Sequence, residues 1–378
     1  METTDLTPGT LRELRAPRPY PAVSLAMPTH RREPDKGQDP VRLRNLVAEA
    51  KHRLVEDPDV SRQARFAVQE QLYVAVSRVD LRHALDGLLI FADAMGHQLW
   101  SLPRSVPERV ILSDTFLTRN LVSARLQEHP YWVLAVAADR ATLWSGSGEA
   151  IRRETVEGFP LTVERESPPN PSGVERKEQI GDFPSTFRDE RTRQFLRAVD
   201  TAVAAVLARD PRPLFLIGLA PALAAFQEAG AVAHSAAGRV VKGGLVNGPS
   251  YALLQELRPA VEGFVQRQNA RVQERIEDAR GRRSFAAGLD EVWEAAREGR
   301  CDLLAVEEHY WQAVQVTEGH LIPISTGRDG SSAASNASIR EDIVDEVVEA
   351  ALDTGTEVVF LSDDALLAHN RIAAVLRY

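Results

Sequence analysis

The sequence predicts an α/β protein of three domains, and three observations carry that prediction. Stretches of helical and of strand periodicity alternate along the chain. Changes in composition and pattern divide it into blocks at 1–128, 129–284 and 285–378. Apolar side chains then run through "NRIAAVLRY" at residues 370–378, where an unpacked segment would turn polar because nothing offsets the entropy of ordering it. That segment is expected to be a packed strand of the third domain. With 378 residues, 44% hydrophobic and 26% charged, the chain can form two or three cores of ordinary size.

In the first block, "YPAVSLAM" (20–27) reads as a strand closed by Pro28, and "RREPDKGQDP" as a polar loop. Val41, Leu43, Leu46, Val47, Ala50 and Leu54 fall on one helical face, and a second helix-like stretch follows. "GLLIFADAMGHQLWSLP" reads as two short strands joined by "ADAMGH".

The second block opens with a buried-strand pattern at Tyr131–Ala137, a turn at Asp139 and Arg140, and a returning strand at Ala141–Trp144. Residues 164–192 are too polar and too rich in proline and glycine for a core, and too long for an ordinary connection, which marks a functional loop. "RQFLRAVDTAVAAVLAR" is an amphipathic helix, and "PLFLIGLA" a buried strand ending at Gly218. Gly218 lacks the company of a G-x-G-x-x-G or Walker sequence, so no nucleotide site is read there. Gly243 and Gly244 beside Lys242 form either a tight turn or a backbone anion cradle. Tyr251 to about Arg280 reads as one long, charged helix.

The third block is a small α/β sandwich. "LDEVWEAAREGRC" is a helix ending at Gly299, "DLLAVEE" and "GHLIPIS" are strands, and "STGRDGSSAASNAS" is a surface connection. "SIREDIVDEVVEAALDTG" is a helix closed by Gly355, followed by strand "EVVFLS" and the final "IAAVLRY".

Charge narrows the function. Residues 290–378 hold 18 acidic against 6 basic side chains, so this quarter repels phosphate backbones, while the rest of the chain is nearly balanced. No apolar run reaches membrane-spanning length, and "METTDLTPGTLRELRAPRPY" lacks the order of a secretory signal. The single cysteine, Cys301, precludes an intrachain disulfide, so a cytoplasmic location is expected, and as the first residue of a buried strand it reads as a core residue. Neither a cofactor nor a metal is expected: His309 and His320 with Glu307 and Glu308 lack metal-ligand spacing, and adjacent glutamates on a strand face opposite ways. No G-x-S-x-G elbow supports a serine hydrolase.

The third-block pieces, "GLDEVWEAAREGRCDLLAVEE", "DIVDEVVEAALDTGTEVVFLS" and "RIAAVLRY", together resemble the third domain of archaeal and eukaryotic class-one peptide-chain release factors and of their rescue relative Pelota. "YWVLAVAADRATLW" resembles the opening strands of that family's middle domain, and "TFRDERTRQFLRAV" its arginine-studded helix after the catalytic loop. Residues 1–128 look like the divergent first domain of the family's bacterial branch. The resemblance implies ribosomal and transfer RNA as partners, and a translational GTPase at the acidic third domain. That domain in the family also resembles ribosomal proteins that bind kinked RNA. The family's Gly-Gly-Gln, which positions the water that cleaves peptidyl-tRNA, is absent from "PPNPSGVERKEQIGDFPSTFRDE", and no Asn-Ile-Lys-Ser occurs in the first block. The expected function is therefore a non-catalytic factor at the ribosomal A site, in hibernation, protection or rescue. Arg176, Lys177, Arg188, Arg191, Arg193 and Lys242 are the candidate RNA contacts. The alternatives are a peptidyl-tRNA or RNA hydrolase, for which Glu178, Gln179 and Asp182 are the nearby polar groups, and a protein-interaction scaffold without ribosome binding.

Overall fold

A computed structural model describes residues 1–2, 5–148, 150–163, 190–317, 320–324 and 339–378. The architecture is multi-domain α/β. Two compact units form, one from Met1–Gln127 with Arg271–Tyr378, the other from Glu128–Ala270.

The chain begins with helix α1 (Pro8–Arg15), strand β1 (Ala22–Pro28), helices α2 (Asp39–Glu56) and α3 (Arg62–Ser77), strands β2 (Gly87–Ala92), β3 (His97–Leu102) and β4 (Arg109–Ser113), and helix α4 (Arg119–Leu126). The strands form an antiparallel sheet in the order β3-β2-β1-β4. Alternation along β1 sends Val23, Leu25 and Met27 toward α2 and α3, while Ala22 and Ala26 join Leu14, Phe91, Trp100 and Leu121 on the other face. Buried Asp39 opens α2 by accepting hydrogen bonds from the His30 backbone N–H and from Arg42, each at 2.8 Å. The sequence reading has no α1, β4 or α4. In α4 Arg119 to Ala124 are all buried, so the polar–apolar rhythm that reveals a helix is missing.

The second unit contains β5 (Tyr131–Val136), β6 (Arg140–Ser147), β7 (Ala150–Arg153), β8 (Leu161–Thr162), α5 (Glu190–Arg209), β9 (Leu214–Gly218), α6 (Ala220–Ala229) and β10 (Gly238–Val241), with most of α7 (Ser250–Arg282). Its sheet runs β10-β9-β5-β6-β7; β5, β9 and β10 are parallel, and β6 and β7 antiparallel. Trp132, Leu134 and Val136 face α5 and α6, whereas Tyr131, Val133 and Ala135 face α7. The predicted loop 164–192 ends earlier than expected, because residues 190–192 already belong to α5. Residues 164–189 lie outside the described residues, as does most of the connection read at 325–338.

The remainder of the first unit carries β11 (Phe285–Ala287), α8 (Leu289–Arg297), β12 (Cys301–Glu307), β13 (Val314–Thr317), β14 (His320–Pro323), β15 (Ile339–Arg340), α9 (Ile343–Asp353), β16 (Glu357–Leu361) and β17 (Ile372–Leu376). One sheet is ordered β11-β17-β12-β16, the other β14-β13-β15. The final apolar segment is thus an interior strand, antiparallel to both β11 and β12. Gly299 and Gly355 end α8 and α9 at φ 67° and 71°, where a side chain would be strained. The predicted helix from Ser338 starts late: Ile339 and Arg340 pair with β13, and α9 begins at Ile343.

Charged side chains from the two ends of the sequence meet in this unit. Arg119, 3% exposed, donates from its backbone to Asp345 (2.6 Å) and from its guanidinium to the Tyr310 carbonyl (2.6 Å), and it faces Asp342 at 3.0 Å. Arg109 approaches Asp342 at 3.6 Å and stacks 4.1 Å from the Trp311 ring centre. Thr118 donates to Glu349 (2.7 Å), which also meets Arg15 at 3.5 Å. Arg104 pairs with Glu308 at 3.0 Å, and Arg53 with Glu341. Val122 and Leu11 insert among the apolar side chains around α8 and α9.

Burial raises the Asp345 carboxyl well above the usual range, Glu349 and Asp342 pushing the same way against Arg119. Burial likewise lifts Glu349 to about 7, opposed by the Thr118 hydrogen bond and Arg15. Three outcomes are expected. A carboxyl raised on folding stabilises fully below its unfolded pKa and loses that contribution as pH rises to the folded value. Thermal unfolding should therefore shift to lower temperature between about pH 5 and 7.5, and Glu349→Gln should flatten that slope and raise the melting temperature at pH 8. Arg119→Ala removes the most buried cation of this ion network and should cost roughly 3–5 kcal/mol in urea unfolding. Ending the chain at Arg371 removes the interior strand β17 and should abolish cooperative unfolding of this unit, whereas Tyr378→Ala, at an 80% exposed position, should leave it unchanged.

Candidate functional site

The described candidate contacts begin at the start of α5. Its buried side, Thr192, Phe195, Leu196, Val199, Val203 and Val206, packs into the sheet, and this apolar stripe turns Arg191, Arg193 and Arg197 outward. Arg193 and Arg197 are one turn apart and, among the described residues, share the Glu190 carboxylate at 3.5 and 3.9 Å. Exposed pairs at such distances hold little energy, so both guanidiniums can exchange Glu190 for a phosphate at small cost. Arg197 was not among the residues singled out from the sequence, although its i+4 spacing from Arg193 was a legible signal. Arg176, Lys177 and Arg188, with Glu178, Gln179 and Asp182, lie outside the described residues.

Lys242 does not join this face. It binds Glu256 on α7 at 2.7 Å, and α7 covers the face of the sheet opposite α5. The glycine pair beside it makes a turn, with Gly244 at φ 81° and the Lys242 N–H bonded to the Gly218 carbonyl at 2.9 Å. Two further arginines hold the segment that follows: Arg140 donates to the Asn247 side chain (2.6 Å) and Arg153 to the Val246 carbonyl (3.2 Å). These hydrogen bonds join residues about 100 positions apart, so neither was visible in local sequence. An apolar cleft of about 410 Å³ on this unit is lined by Tyr131, Leu254, Val261 and Val265, with Arg258 and Glu262 as its charged members. Among the described residues its lining has no nucleophile, paired carboxylates or histidine.

Elsewhere, the side chains considered for metal or nucleophilic chemistry are separated. Buried Glu307 accepts from the Leu366 backbone (2.8 Å) and Arg371 (3.2 Å), while its neighbour Glu308 turns to Arg104. His309 pairs with Asp363 and His320 with Asp290. Among the described residues no group of His, Cys, Asp and Glu could hold a metal. Cys301 is buried, and burial raises its thiol pKa, as befits a core residue. No helix of the described residues is long and apolar enough to cross a membrane.

No curated protein matches the chain. Among solved structures, it is similar to an archaeal translation termination factor at 17% identity, over 100% of this chain and 99% of the other, with a TM-score of 0.26. It is similar to Archaeoglobus fulgidus Pelota at 16% identity, over 77% of this chain and 79% of the other, with a TM-score of 0.34. For S. cerevisiae Dom34, a translation termination-like factor, the identity is 14%, the coverage 78% and 74%, and the TM-score 0.39. Residues 130–300, which include α5 and the whole sheet of the second unit, match bacterial archaeo-eukaryotic release factor family 3.

Proposed function

We propose that the protein is a ribosome-associated translation factor of release-factor ancestry that acts without peptidyl-tRNA hydrolysis, occupying the A site during hibernation, protection or rescue. The observation that carries this reading is the match of residues 130–300 to a bacterial release-factor family. The non-catalytic part rests on the absence of Gly-Gly-Gln from the matched segment, since water positioning demands a particular backbone geometry before it demands a residue type.

Arg191, Arg193 and Arg197 fit the role of backbone contacts, being exposed on one short stretch of a helix whose other side is fixed in the core. Charge and sequence position extend the same role to Arg176, Lys177 and Arg188. Lys242, held by Glu256, ranks below them. For the C-terminal block, acidity favours a protein such as a translational GTPase over kinked RNA, and the exposed carboxylates Asp290, Glu291, Glu294 and Glu298 of α8 and its end offer the surface.

The test is co-sedimentation with empty, initiating and stalled 70S ribosomes at two salt concentrations. Binding should weaken with salt, and alanines at 191, 193 and 197 should lower affinity by at least about tenfold and reduce the salt slope by roughly two to three charges. If the folded protein binds no ribosomal state, the scaffold reading replaces this one. Hydrolysis of peptidyl-tRNA above background would instead favour the hydrolase reading, with Glu178, Gln179 and Asp182 as the residues to replace.

A further inference from the structure

The ions that join the two ends of the first unit are sorted by sign. Arg15, Arg53, Arg104, Arg109 and Arg119 come from residues 1–127, and the carboxylates that meet them, Glu308, Glu341, Asp342, Asp345, Glu349 and Asp353, from residues 271–378. Among the described residues, Arg340 with Asp114 at 3.9 Å runs the other way. Little apolar surface crosses with them. Each block has a sheet of its own with apolar clusters on both faces, and from residues 1–127 Leu11 and Val122 are the apolar side chains that reach the core around α8 and α9. The seam is also incompletely satisfied. Arg15 Nη2, Arg119 Nε and Asp342 Oδ2 are buried in it without an aligned hydrogen-bond partner among the described residues. Buried polar atoms left so cost free energy, and they regain water if the two blocks separate.

We infer that this seam is a latch: residues 1–127 and 271–378 part as folded blocks, and protons and low salt hold them closed. Salt enters because the attraction between the blocks is carried mainly by ion pairs, and those at its edge, Arg104 with Glu308 and Arg53 with Glu341, are within reach of screening. Protons enter through α9. Asp342, Asp345, Glu346, Glu349 and Asp353 meet the guanidiniums of Arg15, Arg109, Arg119 and Arg340 and the Thr118 hydroxyl, with Asp114 as a further carboxylate beside Arg340. From α8, β12 and β16, on the other side of α9, apolar side chains such as Ala295, Leu304 and Phe360 face it. Full ionisation therefore leaves an excess of negative charge in the closed seam. Burial, the largest cause for each, raises the carboxyls of Asp345, Glu346 and Glu349, the last to about 7. Carboxyls raised by closure bind protons more tightly in the closed arrangement, so closure is favoured as pH falls and weakens as pH rises to the closed-state value. Parting the whole seam returns both sets of charge to water together, which avoids the unpaired, dry site that the loss of one side chain leaves.

The latch stands apart from the ribosome reading, and the free protein tests it. The full chain carries donor and acceptor dyes at Glu70→Cys and Glu294→Cys, exposed positions on α3 and α8, while buried Cys301 stays unlabelled. Energy transfer is read molecule by molecule, with far-UV circular dichroism in parallel. At about pH 6 and about 0.05 M salt one transfer efficiency is expected. At about pH 8.5 and about 0.5 M salt a second, lower one should become at least about fivefold more populated, with the dichroism unchanged. Asp345→Asn with Glu349→Gln keeps acceptors for the Arg119 N–H and the Thr118 hydroxyl; it should cut the pH response at least threefold and leave the salt response. A single efficiency up to the point where the dichroism is lost overturns the latch, because the seam then parts only on unfolding. A second population in the chain with Asp345 and Glu349 intact that answers to salt but not to pH overturns the role of protons, and this comparison decides whether or not the double variant folds.

Discussion

The first unit depends on Arg119 being held between Asp342 and Asp345. A guanidinium that is 3% exposed has lost most of its hydration, and such a cation is tolerable only where carboxylates and carbonyls replace water. Its partners arrive from more than 190 residues away, from the Tyr310 carbonyl and from the entry of α9. This network can form only when both ends of the sequence have folded. It also fixes where α9 begins, because Asp342 and Asp345 sit just before and within its first turn.

The same network changes what the acidity of the last quarter means. In composition, residues 290–378 look like a repulsive surface. In the fold, Glu308, Glu341, Asp342, Asp345 and Glu349 face Arg104, Arg53, Arg109, Arg119, Thr118 and Arg15. Among the described residues the carboxylates left exposed are fewer, on α8 and its end (Asp290, Glu291, Glu294, Glu298) and at Asp302, Asp353, Glu357, Asp363 and Asp364. Burial also disfavours ionisation within the network, lifting Glu349 to about 7 and raising Asp345 above the ordinary carboxylate range. The formal charge of this segment therefore overstates its field.

Local periodicity accounts for what the sequence revealed. β5, β9, β12 and β17 are short apolar runs between breakers, and α2, α5 and α7 repeat their apolar positions at helical spacing; each was read within a few residues of its bounds. α4 escaped because it is buried all round, and β15 because two residues paired to a distant strand leave no pattern. At the candidate site, Arg191 and Arg193 were read from charge on a helix. The separation of Lys242 from them was not legible, because it depends on which face of the sheet α7 covers.

Arginine does two kinds of work in this chain, and burial decides between them. Where a neighbouring apolar side chain such as Val122 carries the helix into a core, as at Arg119, the guanidinium is committed to carboxylates and cannot leave without exposing them to an unpaired, dry site. Where the apolar stripe lies on the opposite side, as in α5, the guanidiniums share a weak, exposed partner in Glu190 and can trade it for another anion. α3 stands between these cases: among the described residues, Arg62 and Arg65 approach an aromatic ring, that of Phe66. A bound anion or partner can gain at the exposed surfaces without drawing on the ions that hold the unit together.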